Sequence, residues 1–471
     1  MMSQIPVKNV TPPAAKVQSS TDLYASAEKI YTRAFSGVFR NLRRVGGAFL
    51  FLVYFGTVWL NWDGRQAVWW NLPERKFYIF GSTFWPQDFV LLSALLIICA
   101  FGLFFITVFA GRVWCGYTCP QSVFTWVFMW GEKVTEGDRN KRMKLDQAPM
   151  SADKFLRKLA KHSIWIGVSL ATAITFVGYF SPIRELIPDL FTFDASGWAL
   201  FWVGFFTVAT YGNAGWLREQ VCIYMCPYAR FQSVMFDTDT LIVSYDPRRG
   251  EGRGPRKKGA DYKAQGLGDC IDCHMCVQVC PTGIDIRDGL QLECIGCAAC
   301  IDACDSIMEK MDYPKGLISY TTEHNLSGQK THLLRPRLIG YAVALVAMMG
   351  VFAWAVASRP LVGLDVIKDR VIFRENQDGH IENVYTLKIM NKAQHDVTYV
   401  ISADGIEGIE FAGTTKVKAA AGEVLSLPVE LSIAPEKLPS SANKIMFHVQ
   451  ALEDDGINSN ADSRFNGPSI R

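Results

Sequence analysis

Cys270-Ile-Asp-Cys273-His-Met-Cys276-Val-Gln-Val-Cys280-Pro281 is followed, after a short interval, by Cys294-Ile-Gly-Cys297-Ala-Ala-Cys300-Ile-Asp-Ala-Cys304. Each run spaces four cysteines by two, two and three residues. Zinc held by four cysteines uses separated Cys-x-x-Cys pairs and does not need eight thiols in this double pattern. A loop with two-residue gaps wraps three thiolates around one [4Fe–4S] cube, and in two-cluster ferredoxins the fourth cysteine of each run ligates the other cube. The spacing therefore assigns Cys270, Cys273, Cys276 and Cys304 to one cluster, and Cys294, Cys297, Cys300 and Cys280 to a second. Asp305 stands where the second run would normally carry Pro, a change expected to alter local chain geometry and leave the ligands in place. His274, inside the first loop, is expected to hydrogen-bond near a cluster or to face solvent.

Of the 13 cysteines, all but Cys99 lie between 115 and 304. Thiols gathered this way in a long chain point to metal in a reducing compartment rather than to a disulfide scaffold. Four belong to a repeated motif, Val113-Trp-Cys115-Gly-Tyr-Thr-Cys119-Pro120 and Val221-Cys222-Ile-Tyr-Met-Cys226-Pro227. Each motif ends a pair of apolar runs, so two hairpins packed about a pseudo-two-fold axis would bring four thiols together. A local disulfide is strained, because helical spacing holds the two Cβ atoms about 5–6 Å apart where a disulfide wants about 3.8 Å. The thiols could instead grip a soft ion, Cu(I), zinc or an iron–sulfur centre, or be small buried residues beside helix breaks. Pro120 and Pro227 suit the first position of a new helix. Cys119 and Cys226 would then sit at helix N-termini, where the dipole favours thiolate. Met129, Met225 and Met235 offer thioethers nearby, a role weighed against ordinary gap-filling; lone Cys99 reads as packing.

A hydrophobic fraction of 49 % with 13 Trp suits a membrane protein better than a soluble enzyme. Five uncharged apolar runs, Val45–Leu60, Phe89–Ala110, Ile164–Phe180, Trp198–Trp216 and Leu338–Ala357, approach the roughly 20 residues a bilayer crossing needs. Lys and Arg concentrate before the first run, after the second and after the fourth, which places the N-terminus and every cysteine motif on the cytoplasmic side and the C-terminus outside. Residues 1–30 lack an apolar h-region and read as a flexible cytoplasmic tail, not a cleavable signal peptide. Beyond Ser358, the alternating stretches Val384–Ile389, Val397–Ile401 and Val424–Leu431, separated by Asp-Gly, Asn-Lys and Ala-Gly turns, predict an antiparallel β-sandwich. The expected organisation is a cytoplasmic tail (1–38), a four-span membrane domain with both hairpins (39–245), a cytoplasmic two-cluster ferredoxin domain (246–334), a fifth transmembrane helix (335–358) and a periplasmic immunoglobulin-like sandwich (359–471).

His162 alone among the seven histidines lies near the predicted bilayer, so a bis-histidine haem does not fit. No dinucleotide fingerprint follows a predicted strand. The basic runs 139–161 and 248–258 flank membrane spans and read as positive-inside anchors and docking for an acidic electron donor, not as a nucleic-acid site.

On these residues the chain resembles the polyferredoxin maturation proteins of cbb3-type cytochrome c oxidases, the CcoG/FixG/RdxA family. The resemblance spans five runs, two Cys-x-x-x-Cys-Pro hairpins, the double cluster run and the β tail. It implies an enzyme of the bacterial inner membrane, a cupric reductase that supplies Cu(I) for the oxidase copper centre. Two [4Fe–4S] clusters would be the resident cofactors and copper the substrate. Cys115, Cys119, Cys222 and Cys226 would then be the copper or redox site. Implied partners are a soluble cytoplasmic donor (flavoprotein or ferredoxin) and copper-handling or oxidase-assembly proteins, with a homodimer left open. Two other readings remain at this stage: a quinol-oxidising ferredoxin-type relay to a periplasmic reductase, and an assembly factor whose clusters are structural or sense oxygen.

Overall fold

The computed structural model describes residues 29–454 and 456–468. Residues 1–28 of the expected tail lie outside them. The segment that follows is anchored. Residues 29–37 form an extended strap: Lys29 and Tyr31 both donate to Asp146 at 2.6 Å, the Ala34 N–H to Asp138, and the Arg33 N–H to the Gln278 carbonyl.

Helices cover all five apolar runs, but unequally. Helix α1 (Val38–Thr57) starts before its apolar run because its first turn is capped from outside: Asp302 accepts the N–H groups of Phe39 and Arg40 at 3.2 and 2.7 Å. Helix α2 (Phe89–Ala110) matches its prediction. A short turn α3 (Val113–Tyr117) precedes an amphipathic helix α4 (Pro120–Glu136), which opens at Pro120 as expected, and a polar helix α5 (Arg139–Gln147) follows in the basic stretch. Helix α6 (Ala152–Gly178) begins at Ser151, whose hydroxyl accepts the Lys154 N–H. A shorter helix α7 (Ile183–Thr192) leads to α8 (Gly197–Thr210), which widens into a π-helical segment, Tyr211–Leu217. A second π segment, Val221–Met225, precedes α9 (Pro227–Met235).

Among the described residues three helices, Pro86–Ala110, Ala152–Gly178 and Pro336–Ala357, are by length and composition long and apolar enough to cross a membrane. The other two of the five expected spans fall short of that measure for visible reasons. Arg40, Arg43 and Arg44 lie inside α1, and α8 has 14 residues before its backbone widens.

The cysteine-rich region is closed by the antiparallel pair Ile242–Tyr245 and Ile318–Thr321 and by the helix Ala299–Met311. Its core holds Val243, Ile286, Ile301, Met308 and Ile318 around Cys270 and Cys276. Asp305 lies inside that helix and accepts the Gly316 N–H at 2.9 Å. A proline there would remove a helical hydrogen bond, so the departure from Pro lets the helix run on.

The C-terminal unit is a two-sheet sandwich. One sheet orders Glu410–Ala412, Val424–Ile433, Ile381–Asn391 and Val362–Lys368, with Arg374–Glu375 also on Ile381–Asn391; the other orders Lys416–Ala419, Val397–Asp404, Ala442–Ala451 and Asn458–Asn466. Tyr385, Tyr399, Phe447 and Phe465 are fully buried between them. Asp88, at the start of α2, takes both Arg359 (3.0 Å) and Lys392 (3.2 Å) of this unit. At the other end of α2, Thr240 and Leu241 donate to the carbonyls of Val108 and Phe109. Helix Pro336–Ala357 packs on α2 and begins where Arg335 pairs with Asp237. The sandwich and the cysteine region therefore sit at opposite ends of the same helix pair.

Candidate functional site

The eight cysteines of 270–304 fall into two groups. Burial pushes the Cys304 thiol up, and the neighbours that push it further include Cys276, Cys273 and Cys270. Cys300, also raised first by burial, feels Cys297, Cys294 and Cys280 before Cys276. Cys304 of the second run thus stands near cysteines of the first, and Cys280 of the first near Cys300 of the second. An enclosed cavity lies among Cys276, Cys280, Cys294, Cys297 and Cys300, walled by Val243, Ile286 and Ile295. Burial lifts the Cys276 and Cys294 thiols to about 12. Such a pocket does not make thiolates by itself; a bound cationic centre would stabilise them. A donor set of eight convergent sulfurs in an apolar shell fits two [4Fe–4S] clusters. His274 is half exposed and its Nδ1 lies 2.9 Å from Arg287 Nη2. Arg287 also binds Asp272 and Asp285, which clamps the loop of the first set.

The two Cys-x-x-x-Cys-Pro motifs share one backbone device. The Cys119 N–H donates to the Trp114 carbonyl at 2.9 Å and the Cys226 N–H to the Val221 carbonyl at 2.8 Å, each spanning five residues. Cys119 and Cys226 are then N-cap residues, with Pro120 and Pro227 opening α4 and α9. Burial raises Cys115 to about 12, with Cys119 the next cause and Cys222 also acting. Burial raises Cys222 to about 11, with Cys119 and then Cys226 next. Cys115 and Cys222, one from each hairpin, thus lie close enough to act on one another, with Cys119 near both. Met129 is buried while Met225 is 61 % exposed, and Cys99 is exposed on the outer face of α2.

This thiol quartet abuts the second cysteine group. A Cβ on Gly116 would stand 2.8 Å from the Cys297 Cα and 2.9 Å from the Gly296 carbonyl oxygen, so the backbones touch. Cys115 packs on the cluster of Cys297, Val279, Ile295 and Ala303. Tyr320 donates to the Gly296 carbonyl at 2.6 Å, and its hydroxyl lies 3.2 Å from that of Tyr117.

Three further residues shape the site and were not singled out by sequence. Arg112, counted there only as a topological charge, joins the Leu292 and Ala229 carbonyls and is the positive charge beside Cys115 and Cys222. Its place three residues before Cys115 was the available signal. Gln232, fully buried, lies with Oε1 3.6 Å from the Cys115 Sγ; nothing in its sequence setting marks it. Tyr320 comes from a strand remote from either motif.

Known proteins agree with this layout. A family described as a 4Fe-4S dicluster domain matches residues 217–323, a 4Fe-4S binding domain matches 92–135, and the IG-like fold at the C-terminal of FixG matches 352–468. The chain is 36 % identical over 464 residues to the nitrogen fixation protein FixG of Rhizobium meliloti (strain 1021), covering 90 % of this chain and 87 % of that one. It is 38 % identical to protein RdxA of Cereibacter sphaeroides over 405 residues, 83 % of this chain and 85 % of the relative. Protein RdxB of the same organism is 36 % identical over 441 residues, 90 % and 92 % of the two chains. A crystal structure of a FixG-related protein from Vibrio parahaemolyticus shares 32 % identity, covers 22 % of this chain and 95 % of its own, and superposes with a TM-score of 0.21. The two-cluster cysteine domain, the hairpin region and the sandwich, together with relatives matched over most of their length, place this chain in the FixG/RdxA family of iron–sulfur electron-transfer proteins.

Proposed function

We propose that the chain is a five-span inner-membrane cupric reductase that delivers Cu(I) for assembly of the copper centre of a cbb3-type oxidase. In this reading the N-terminus and cysteine region are cytoplasmic and the sandwich is periplasmic. Cys270, Cys273, Cys276 and Cys304 hold one cluster, and Cys294, Cys297, Cys300 and Cys280 the other. Bound there, the clusters supply electrons singly from a soluble cytoplasmic donor. The observation that carries the proposal is the backbone contact of Gly116 with Gly296 and Cys297, which sets the Cys115 turn against the second cluster loop.

The residues then do three things. The quartet Cys115, Cys119, Cys222 and Cys226 offers sulfur, which suits Cu(I), whereas Cu(II) prefers nitrogen and oxygen. Sulfur ligation therefore raises the Cu(II)/Cu(I) potential and draws one electron onto copper. Arg112 offsets part of the charge that builds on the thiolates. Protons displaced from buried Cys115 and Cys222 leave as the ion binds.

The test mixes chemically reduced, anaerobic protein with one equivalent of Cu(II), removes free metal, and reads the retained ion by X-ray absorption. Retained Cu(I) in an all-sulfur shell, lost when all four hairpin cysteines are changed to Ser, supports the reading; retention that ignores those changes overturns it.

One observation favours the quinol relay. A cavity of about 680 Å³ runs from apolar Phe51 and Trp126 past Arg43 to Tyr117 and Gly116. It has room for a quinone ring close to the Cys297 loop. Bleaching of the cluster absorption by added quinol, without any donor protein, would select this reading.

A further inference from the structure

Three side chains from separate stretches of sequence converge outside the cysteine sites, at the junction of the ferredoxin region with α2. Ligand atoms of Asp239, His324 and His332 lie within 4.8 Å of one another. His324 Nδ1 is 2.7 Å from Asp239 Oδ1, and His332 Nδ1 is 3.7 Å from Asp239 Oδ2. The backbone fixes this arrangement from several sides. The His332 N–H donates to Asp239 Oδ1 at 2.9 Å, the His324 N–H to the Thr238 carbonyl at 3.1 Å, and the Asp239 N–H to Asp237 Oδ1 at 3.0 Å. Asp239 and His324 are mostly covered, while His332 is 67 % exposed, so the group is open to solvent on one side. A hydrogen bond from one imidazole would satisfy Asp239. It does not account for a second imidazole turning the same edge toward the other carboxylate oxygen.

We propose that Asp239, His324 and His332 bind a divalent transition-metal ion, with Cu(II) the ion this protein takes. The identity of the ion rests on the cupric reductase reading; the site itself rests on the converging donors. Two imidazole nitrogens and a carboxylate oxygen, completed by water, are the donor set that Cu(II) prefers, and the thiol quartet is the one that Cu(I) prefers. The two sites stand on one piece of structure. The loop bearing Asp239 is bonded to Val108 and Phe109 at the end of α2, and the turn bearing Cys115 begins directly after that end. Through Leu241 the same loop lines a cavity of about 240 Å³ that also meets Arg112 and Cys294. The nitrogen–oxygen site captures Cu(II) from solvent. One electron from a reduced cluster then converts it to Cu(I), which the nitrogen–oxygen donors hold less well and the thiolates hold better.

The test uses the full-length protein with oxidised clusters and one equivalent of Cu(II). Electron paramagnetic resonance is expected to show an axial Cu(II) signal with coupling to two imidazole nitrogens. H324Q/H332Q should abolish it. H332Q, which leaves the His324–Asp239 bond intact and so keeps the loop, should remove one nitrogen and weaken Cu(II) binding about tenfold or more. Unchanged cluster absorption checks that each variant is folded. The same nitrogen couplings and affinity in wild type and both variants would overturn the site. Imidazole-bound Cu(II) that reduced protein never converts to Cu(I) would keep the site and sink the reductase reading. Wild-type Cu(I) formation with no imidazole-bound Cu(II) would do the reverse.

Discussion

Gly116 is the residue on which the proposed electron path depends. Its missing side chain lets the first hairpin touch the Gly296–Cys297 backbone, and that obstacle is main chain, which does not rotate away. Gly116→Ala should cost about 1–3 kcal/mol through overpacking and slow electron loss from the clusters to Cu(II), read by thermal melting and by cluster absorbance after rapid mixing. Glu132 makes a different demand. It is 1 % exposed and paired with both Arg142 and Arg218. Glu132→Ala strands buried Arg142 and half-buried Arg218 and should cost about 3–5 kcal/mol, seen as a lowered midpoint or loss of folded protein from membranes. The cluster cysteines and the hairpin cysteines were legible because ligand spacing is written in sequence. Gly116, Glu132 and Arg112 were not, since each acts on a partner far away in the chain, and an arginine near an apolar run looks the same whether it anchors to lipid or neutralises a buried glutamate.

Among elements, the strap of residues 29–37 makes a prediction with a defined sign. Burial alone would raise the Asp146 carboxyl, but hydrogen bonds from Lys158, Lys29 and Tyr31 outweigh it and hold the group well below the usual carboxylate range. Its contribution is complete above the ordinary carboxyl pKa of about 4 and is lost as pH falls through the lower folded value. Tyr31, raised to about 12 by burial and then by Asp146, keeps its proton until strongly alkaline pH. The strap should stay docked across the neutral range and release only in strong acid. Asp146→Asn should loosen it at neutral pH, seen as faster hydrogen exchange over residues 30–34; unchanged exchange would contradict the assignment. Elements showed in the sequence where a single periodicity governed them. Strands Ile381–Asn391, Val397–Asp404 and Val424–Ile433 contain the three alternating stretches; the Ala421-Gly422 turn falls between strands, while Asn391-Lys392 and Asp404-Gly405 each begin on a strand's last residue. Strand Asn458–Asn466 did not show, because only Phe465 on it is buried. Of helix α4 the start at Pro120 showed but the length did not, because it carries its apolar face among charges that pair only after folding.

In the whole molecule, the cysteine region and the sandwich occupy opposite ends of α2 and helix Pro336–Ala357, with the thiol quartet at the end that bears the clusters. That layout was largely readable from the order of motifs and apolar runs. The contact joining hairpin to cluster loop was not, because no periodicity or spacing links residue 116 to residue 297. If the quartet serves copper and holds no cluster of its own, anaerobically purified protein should contain about eight iron and eight sulfide per chain; about twelve of each would make the quartet a third cluster site. On the proposed path, electrons leave the second cluster through the hairpin thiols to copper. The most direct measurement is the rate at which Cu(II) reoxidises the reduced clusters, followed by their absorbance after rapid anaerobic mixing. Wild type would be set beside Cys115→Ser/Cys119→Ser and Cys222→Ser/Cys226→Ser variants of equal iron content. The account predicts fast reoxidation with one Cu(I) formed per electron in wild type, and a large loss of rate in both variants. Equal rates in all three proteins would contradict it.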